Sequence, residues 1–273
     1  MYIDNSVFIS VIICCFNCQE YIKETIESVI GQTYNHWEIV AINDGSTDGT
    51  ENIILDYRQR GIPITYYKQK NEGFASARNK AIELARGEWI AIIDHDDLCL
   101  PDRLAIQATH IKENSNCNLF FGNTIHFRNG DVEVRRHYDQ FNPQPVALNL
   151  TAGNATKNLI KYGCFIDTES VIFNKEAAQF IGGFDTHFNY VADFDFFLRM
   201  GERYDLYAGN EILAKWRVHP GQLTQKIGPV HQEELNQIYR KYLKSNKIHI
   251  LTRTCIGGKL FYFNLKQHIK RLG

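Results

Sequence analysis

Three runs decide the fold: Phe8-Ile9-Ser10-Val11-Ile12-Ile13-Cys14-Cys15, Trp37-Glu38-Ile39-Val40-Ala41-Ile42 and Trp89-Ile90-Ala91-Ile92-Ile93. Each is an almost unbroken apolar stretch rich in β-branched residues, the pattern of a parallel strand covered on both faces. Between the first two, Tyr21, Ile22, Ile26, Val29 and Ile30 recur at a helical period. After the second come a helix over 50–60, a strand over 64–68 and a helix over 75–85. This alternation predicts an α/β fold with a doubly wound, mostly parallel sheet flanked by helices. Ligands of such sheets bind at the carboxyl ends of the strands.

Two of those ends are acidic. The third run continues into Asp94-His95-Asp96-Asp97, and the second into Asn43-Asp44-Gly45-Ser46-Thr47-Asp48. Clustered carboxylates raise one another's pKa unless a cation neutralises them, and a hard divalent ion bridging to phosphates is the natural partner. If the strand continues, its alternation places Asp94 and Asp96 on one side and His95 on the other. The bland alternatives are that Asp97 caps the helix starting near Pro101, and that Asp44 forms a plain Asx turn.

The rest of the chain is less regular. Strands are expected over 119–127 and 170–173, a helix over 194–201, two short strands within 206–218 and a helix over 232–243. Residues 128–163 are weakly patterned, the kind of long segment that often faces a substrate.

Composition excludes several classes. The chain has 273 residues, 44% apolar and 22% charged, with 6 Pro, so it can build a full core and is not disordered or fibrous. Net charge is −1, which does not suit a nucleic-acid binder. That balance hides an asymmetry: residues 240–273 carry nine Lys/Arg and no Asp or Glu, leaving −10 on residues 1–239. Seven Cys without regular spacing do not make a secreted disulfide framework. No stretch approaches the roughly 18 apolar residues of a membrane span. The run over 7–16 follows Asp4, not a basic region, and reads as a strand and not a signal peptide. These features point to a cytoplasmic protein.

Taken in order, Ser10-Val11-Ile12-Ile13, Asn17, Tyr21, Ser28-Val29-Ile30-Gly31-Gln32-Thr33-Tyr34, Asn43-Asp44-Gly45-Ser46-Thr47-Asp48-Gly49-Thr50, Ala77-Arg78-Asn79, Asp94-His95-Asp96-Asp97 and Pro101-Asp102-Arg103-Leu104 resemble the inverting GT-A glycosyltransferases of family 2. Gly182-Gly183-Phe184-Asp185, Asp193-Phe194-Asp195 and Arg217-Val218-His219 are similar to that family's later motifs. The likeness covers roughly residues 8–225. It implies a nucleotide-diphosphosugar donor, typically a UDP-sugar, Mn2+ or Mg2+ as cofactor, and a glycan or lipid-linked hydroxyl acceptor. It further implies nucleotide-sugar contacts from Cys15, Asn17, Asp44, Arg78, Asp94 and Asp96, metal ligation by Asp96 and His219, and a catalytic base at Asp193. The helix-capping alternative for Asp193, and a strand-end His packed by Trp216 for His219, remain open at this point.

Three departures from the family pattern matter. Cys14-Cys15-Phe16-Asn17 stands where Pro-Thr-Tyr-Asn is usual, Ala192-Asp193 where Glu-Asp is usual, and Lys215-Trp216-Arg217 lacks the pattern of processive synthases. The competing reading is a catalytically silent nucleotide-sugar or glycan-binding module, which donor turnover would exclude. The expected organisation is a catalytic domain over 1–228, with a nucleotide-binding half over 1–100 and an acceptor half over 101–228. A basic helical extension follows over 229–273. Within it Phe261, Leu265, Ile269 and Leu272 share a helical face. That face either packs on the acidic domain or lies on the inner face of a membrane through residues 240–273.

Overall fold

The computed structural model describes residues 6–128, 130–222, 228–244, 254 and 256–259. Its first half is the expected doubly wound unit. Strands β1 (Ile9–Cys15), β2 (Trp37–Asn43), β3 (Ile64–Lys68) and β4 (Trp89–Ile92) are mutually parallel and lie in the order β3-β2-β1-β4. Helices α1 (Ile22–Ile30), α2 (Thr50–Gln59) and α3 (Phe74–Leu84) make the crossovers. The apolar runs are explained by burial on both faces. On β1, Ile9, Val11, Ile13 and Cys15 enter one hydrophobic cluster with Ile22, Ile26 and Val29 of α1, while Ile12 enters the other.

The second half extends the same sheet. After a two-stranded contact by β5 (Leu98–Cys99) and helix α4 (Arg103–Glu113) come β6 (Cys117–Arg128), β7 (Val132–Arg136), α5 (Asn154–Tyr162), β8 (Ile172–Asn174), α6 (Lys175–Phe180), α7 (Ala192–Arg203) and β9 (Asp205–Arg217). The sheet order is β3-β2-β1-β4-β8-β6-β9-β5, with β7 hairpinned on β6. Here β8 runs antiparallel to β4 and β6, whereas β6 and β9 run parallel.

Two expectations change. The two strands expected within 206–218 are one thirteen-residue strand, β9, and irregularities in its pairing with β6 absorb the break in the apolar pattern. The weakly patterned segment 128–163 contains β7, two single-turn 3-10 helices (His137–Gln140 and Pro145–Ala147) and α5. Its short elements leave little periodicity to read.

The chain then enters α8 (Pro229–Lys244). Ile238, Tyr239 and Tyr242 of α8, together with Ile256, are buried in the core cluster shared by α3, α5 and α7. Glu234 accepts from the Asn189 and Tyr190 backbone N–H groups at 2.9 and 2.8 Å, and Lys241 reaches Asp195 at 3.1 Å. Helix α8 therefore packs on the elements that precede it. The amphipathic stretch ending at Leu272, and with it the membrane-surface expectation, lies outside the described residues. Among the described residues no helix is long and apolar enough to cross a membrane.

Candidate active site

The cleft lies at the carboxyl ends of β1, β2 and β4. At the end of β2, Asp44 is buried and accepts three hydrogen bonds, from Gln69 Nε2, Glu72 N and Gly73 N, each at 2.9 Å. Its carboxylate thus ties the β2 end to the loop that opens α3, more than an Asx turn requires. Gly45 follows with φ 81°, and a Cβ there would lie 2.9 Å from Asn71 N, so this turn requires glycine. Asn17, itself at φ 49°, donates its backbone N–H to Ser46 and accepts from Thr47 N at 2.8 Å. It positions the Asp-Gly-Ser-Thr loop from the β1 side.

The thiol facing the cleft is not the expected one. Cys15 is buried in the opposite core with Cys18, because β1 alternates up to its end. Cys14 is the residue exposed to the charges of Arg78, Asp94 and Asp193; burial chiefly, with those carboxylates, pushes its thiol up to about 12. It is a neutral, hydrogen-capable wall of the cleft.

Strand β4 ends at Ile92, and Asp94–Asp97 form a turn closed by Asp97 N donating to Asp94 O at 3.1 Å. The strand alternation expected for these residues therefore does not apply. Each carboxylate has its own partner. Asp94 accepts from Arg78 Nη2 at 2.8 Å. Asp96 lies 2.8 Å from His219 Nε2, whose ring packs on Tyr21 and not on Trp216. Asp97 does not cap α4: it accepts from the Arg217 backbone N–H at 2.6 Å, pinning the end of β9 to the turn. Arg217 Nε donates to the Asp96 carbonyl at 2.8 Å, which fixes the turn further. His95 points away and contacts the Cys14 carbonyl at 3.0 Å.

Arg78 is the hub. It is 2% exposed, lies over the Phe74 and Phe184 rings at 4.9 and 5.4 Å, and its two terminal nitrogens donate to Asp94 and Asp193. Asp193 sits in the first turn of α7, but α7 has Val191 at its N-cap with no side-chain cap; the helix-capping reading fails. Burial is the strongest influence on Asp193 and raises its pKa; Arg78 opposes this, Asp94 adds to it, and the net direction is upward. A carboxylate with a raised pKa at a cleft is suited to take up a proton.

Two residues were not anticipated. The buried Thr168 hydroxyl lies close enough to Asp193 to favour its ionised form. Glu169 is buried beside Asp94, Asp97 and Asp167; burial first, then those three carboxylates, push its pKa well above the usual range. Its Oε2 has no hydrogen-bond partner among the described residues. Their one available signal was polar Asp167-Thr168-Glu169-Ser170 set between apolar Phe165-Ile166 and Val171-Ile172.

For a divalent ion, the Asp96 carboxylate and His219 imidazole converge as a mixed oxygen and nitrogen set that fits Mn2+ and, less well, Mg2+. Asp94 is already committed to Arg78.

The family model described as Glycosyl transferase family 2 matches residues 10–172, from β1 to the first residue of β8, and takes in the site residues other than Phe184, Asp193, Arg217 and His219. The chain belongs to glycosyl transferase family 2. An uncharacterized glycosyltransferase of Rickettsia typhi is 30% identical over 243 residues, spanning 88% of this chain and 72% of the relative. A putative teichuronic acid biosynthesis glycosyltransferase of Bacillus subtilis is 36% identical over 157 residues, 57% of this chain and 59% of the relative. Among solved structures, S. aureus TarS 1–349 in complex with UDP superposes with a TM-score of 0.70 at 19% identity, over 93% of this chain and 70% of that one. The mannosyltransferase PcManGT from Pyrobaculum calidifontis, in complex with GDP-Man and Mn2+, superposes at 0.68 and 20% identity over 94% and 70%. These neighbours share the GT-A fold with this family 2 glycosyltransferase.

Proposed function

We propose that this chain transfers a sugar from a nucleotide-diphosphosugar, a UDP-sugar in the first instance, to a hydroxyl of a glycan or lipid-linked acceptor, with metal assistance and inversion at the anomeric carbon. The observation that carries the proposal is the Arg78 clamp, which holds Asp94 and Asp193 on one cation while Asp96 and His219 pair at the next turn. Support for the donor class comes from two fold neighbours, one crystallised with UDP-GlcNAc and one with GDP-Man.

Each residue then has a physical task. Asp193 accepts the proton of the attacking acceptor hydroxyl at a carboxylate oxygen, and its raised pKa strengthens it as a base. Arg78 holds that carboxylate in one orientation. Arg78 also places positive charge beside the diphosphate leaving group, where charge develops. Asp96 and His219 would hold a divalent ion, whose charge would supply electrostatic stabilisation to a diphosphate leaving group. Asp44, Asn17 and Cys14 wall the nucleotide side, with Asp94 nearer the ribose. A single carboxylate base acting opposite the leaving group gives direct displacement, hence inversion. The catalytic unit is proposed as residues 1–228, divided near residue 100, with 229–273 as an extension that begins with α8. A cytoplasmic location, with contact to the inner face of a membrane through the extension, accompanies the lipid-linked acceptor.

The test is a screen of nucleotide sugars for nucleotide release, with manganese, with magnesium and in EDTA. Release from one donor that requires metal supports the proposal. Tight donor binding without release in any condition contradicts it and favours a silent binding module.

A further inference from the structure

A second cluster of ligating side chains lies on the acceptor side, away from Asp96 and His219. The β6–β7 hairpin pairs His126 with Arg135, which brings His137, just past β7, beside His126; their rings stack with centroids 5.7 Å apart. Asp167 faces both. His126 Nε2 lies 3.4 Å and His137 Nδ1 3.6 Å from Asp167 Oδ2. A zinc-class ion bound at about 2.0–2.1 Å in tetrahedral geometry spaces its ligand atoms about 3.4 Å apart.

The surroundings of His137 suit a metal ligand. His137 Nε2 contacts the Phe165 carbonyl at 3.2 Å, so the ring donates there and its Nδ1 lone pair faces the Asp167 carboxylate. Gln140 Nε2 reaches the same nitrogen at 3.4 Å, a long contact that offsets little of the repulsion between the lone pair and the anion; a cation between them would remove it. The backbone-carbonyl partner on the opposite nitrogen is the usual outer support of a metal-bound histidine. His126, 5% exposed, has no hydrogen-bond partner at Nε2. Of the six buried polar side-chain atoms without a partner among the described residues, three surround Asp167: His126 Nε2, the Tyr138 hydroxyl and Glu169 Oε2. Such a concentration needs a physical cause.

We propose that His126 Nε2, His137 Nδ1 and Asp167 form a second divalent-metal site, of the zinc class, distinct from the Asp96–His219 pair. Arg135, on the exposed strand β7, donates to His126 Nδ1 at 3.1 Å. On loading, the single ring proton of His126 moves to Nδ1 and Arg135 swings into solvent. The bound ion fastens the β6–β7 hairpin to the segment that carries Thr168, whose hydroxyl lies near Asp193. The site thus braces the acceptor wall without touching the reacting atoms.

The test uses the full chain carrying Asp96→Asn, stripped with a chelator and titrated with Zn2+ by calorimetry and with Co2+ by visible absorption. The expected result is one equivalent, with Co2+ bands of tetrahedral intensity and no thiolate charge-transfer band. His126→Asn and Asp167→Asn should each weaken zinc binding by about 100-fold or more. Asp167→Asn keeps an acceptor for Thr124 and serves as the folded control if His126→Asn fails to fold. Absence of stoichiometric binding, unchanged affinity in a folded variant, or a thiolate band pointing to the Cys14–Cys18 region would each overturn the site.

Discussion

Replacing Arg78 by Met keeps a comparable stem and removes the charge between Asp94 and Asp193. Arg78 is 2% exposed, whereas the side chains of Asp94 and Asp193 are 34% and 25% exposed. Deleting one member of a fully buried ion pair costs roughly 3–5 kcal/mol. Because both carboxylates keep some contact with water, the loss is discounted to about 2–3 kcal/mol near neutral pH. For a chain of this size that is a fall in Tm of roughly 4–12 °C. The sign of the pH dependence follows from Asp193. Its folded pKa is already raised above the ordinary 3.8, and losing Arg78 raises it further. An ionised carboxylate of this kind destabilises the folded state above its folded pKa, and the deficit shrinks as pH falls through that pKa towards the unfolded value. Denaturant unfolding of the wild type and Arg78→Met at about pH 8 and about pH 5 should therefore show a smaller gap at the lower pH. Adding Asp193→Asn to Arg78→Met should recover part of the loss at the higher pH. Equal deficits at both pH values, with no recovery in the double variant, would refute the clamp.

Further outcomes follow from the same geometry. Asp193→Asn should lower kcat by about 10²–10⁴ with donor affinity nearly unchanged, as measured by steady-state kinetics and donor calorimetry. The acid limb of the kcat profile should lie above the ordinary aspartate value of 3.8, because Asp193 must be ionised to act and its pKa is raised. Asp96→Asn should lose turnover while keeping the wild-type circular dichroism spectrum, and manganese should restore wild-type activity removed by EDTA. Gly45→Ala should cost about 1–2 kcal/mol from the positive φ alone, more with the 2.9 Å approach to Asn71 N, and should weaken donor binding through Asp44.

The parallel half was legible because burial on both faces turns β1, β2 and β4 into apolar runs, and α1 shows its buried face as Ile22, Ile26 and Val29. Position by position, local rules failed where tertiary contacts override them. Asp94–Asp97 look like a strand continuation, yet the chain leaves the sheet at Ile92. Asp97 looks like a helix cap, yet the Arg217 backbone, 120 residues later, claims it. Cys15 occupies the family's nucleotide-facing motif, but the pleat turns Cys14 to the cleft. Strand β9 was divided because its polar residues break the apolar pattern, while its pairing with β6 carries it across the break. Thr168 and Glu169 lay in a short irregular segment with no periodicity, so only their polarity between apolar neighbours marked them.

The central claim is that Asp193 deprotonates an acceptor hydroxyl in a single displacement. Proton NMR of the first product formed from the donor identified by the nucleotide-sugar screen tests it most directly. The account predicts a product whose anomeric configuration is opposite to that of the donor, formed by the wild type and nearly abolished in Asp193→Asn. A product of retained configuration, or undiminished formation by Asp193→Asn, would contradict it.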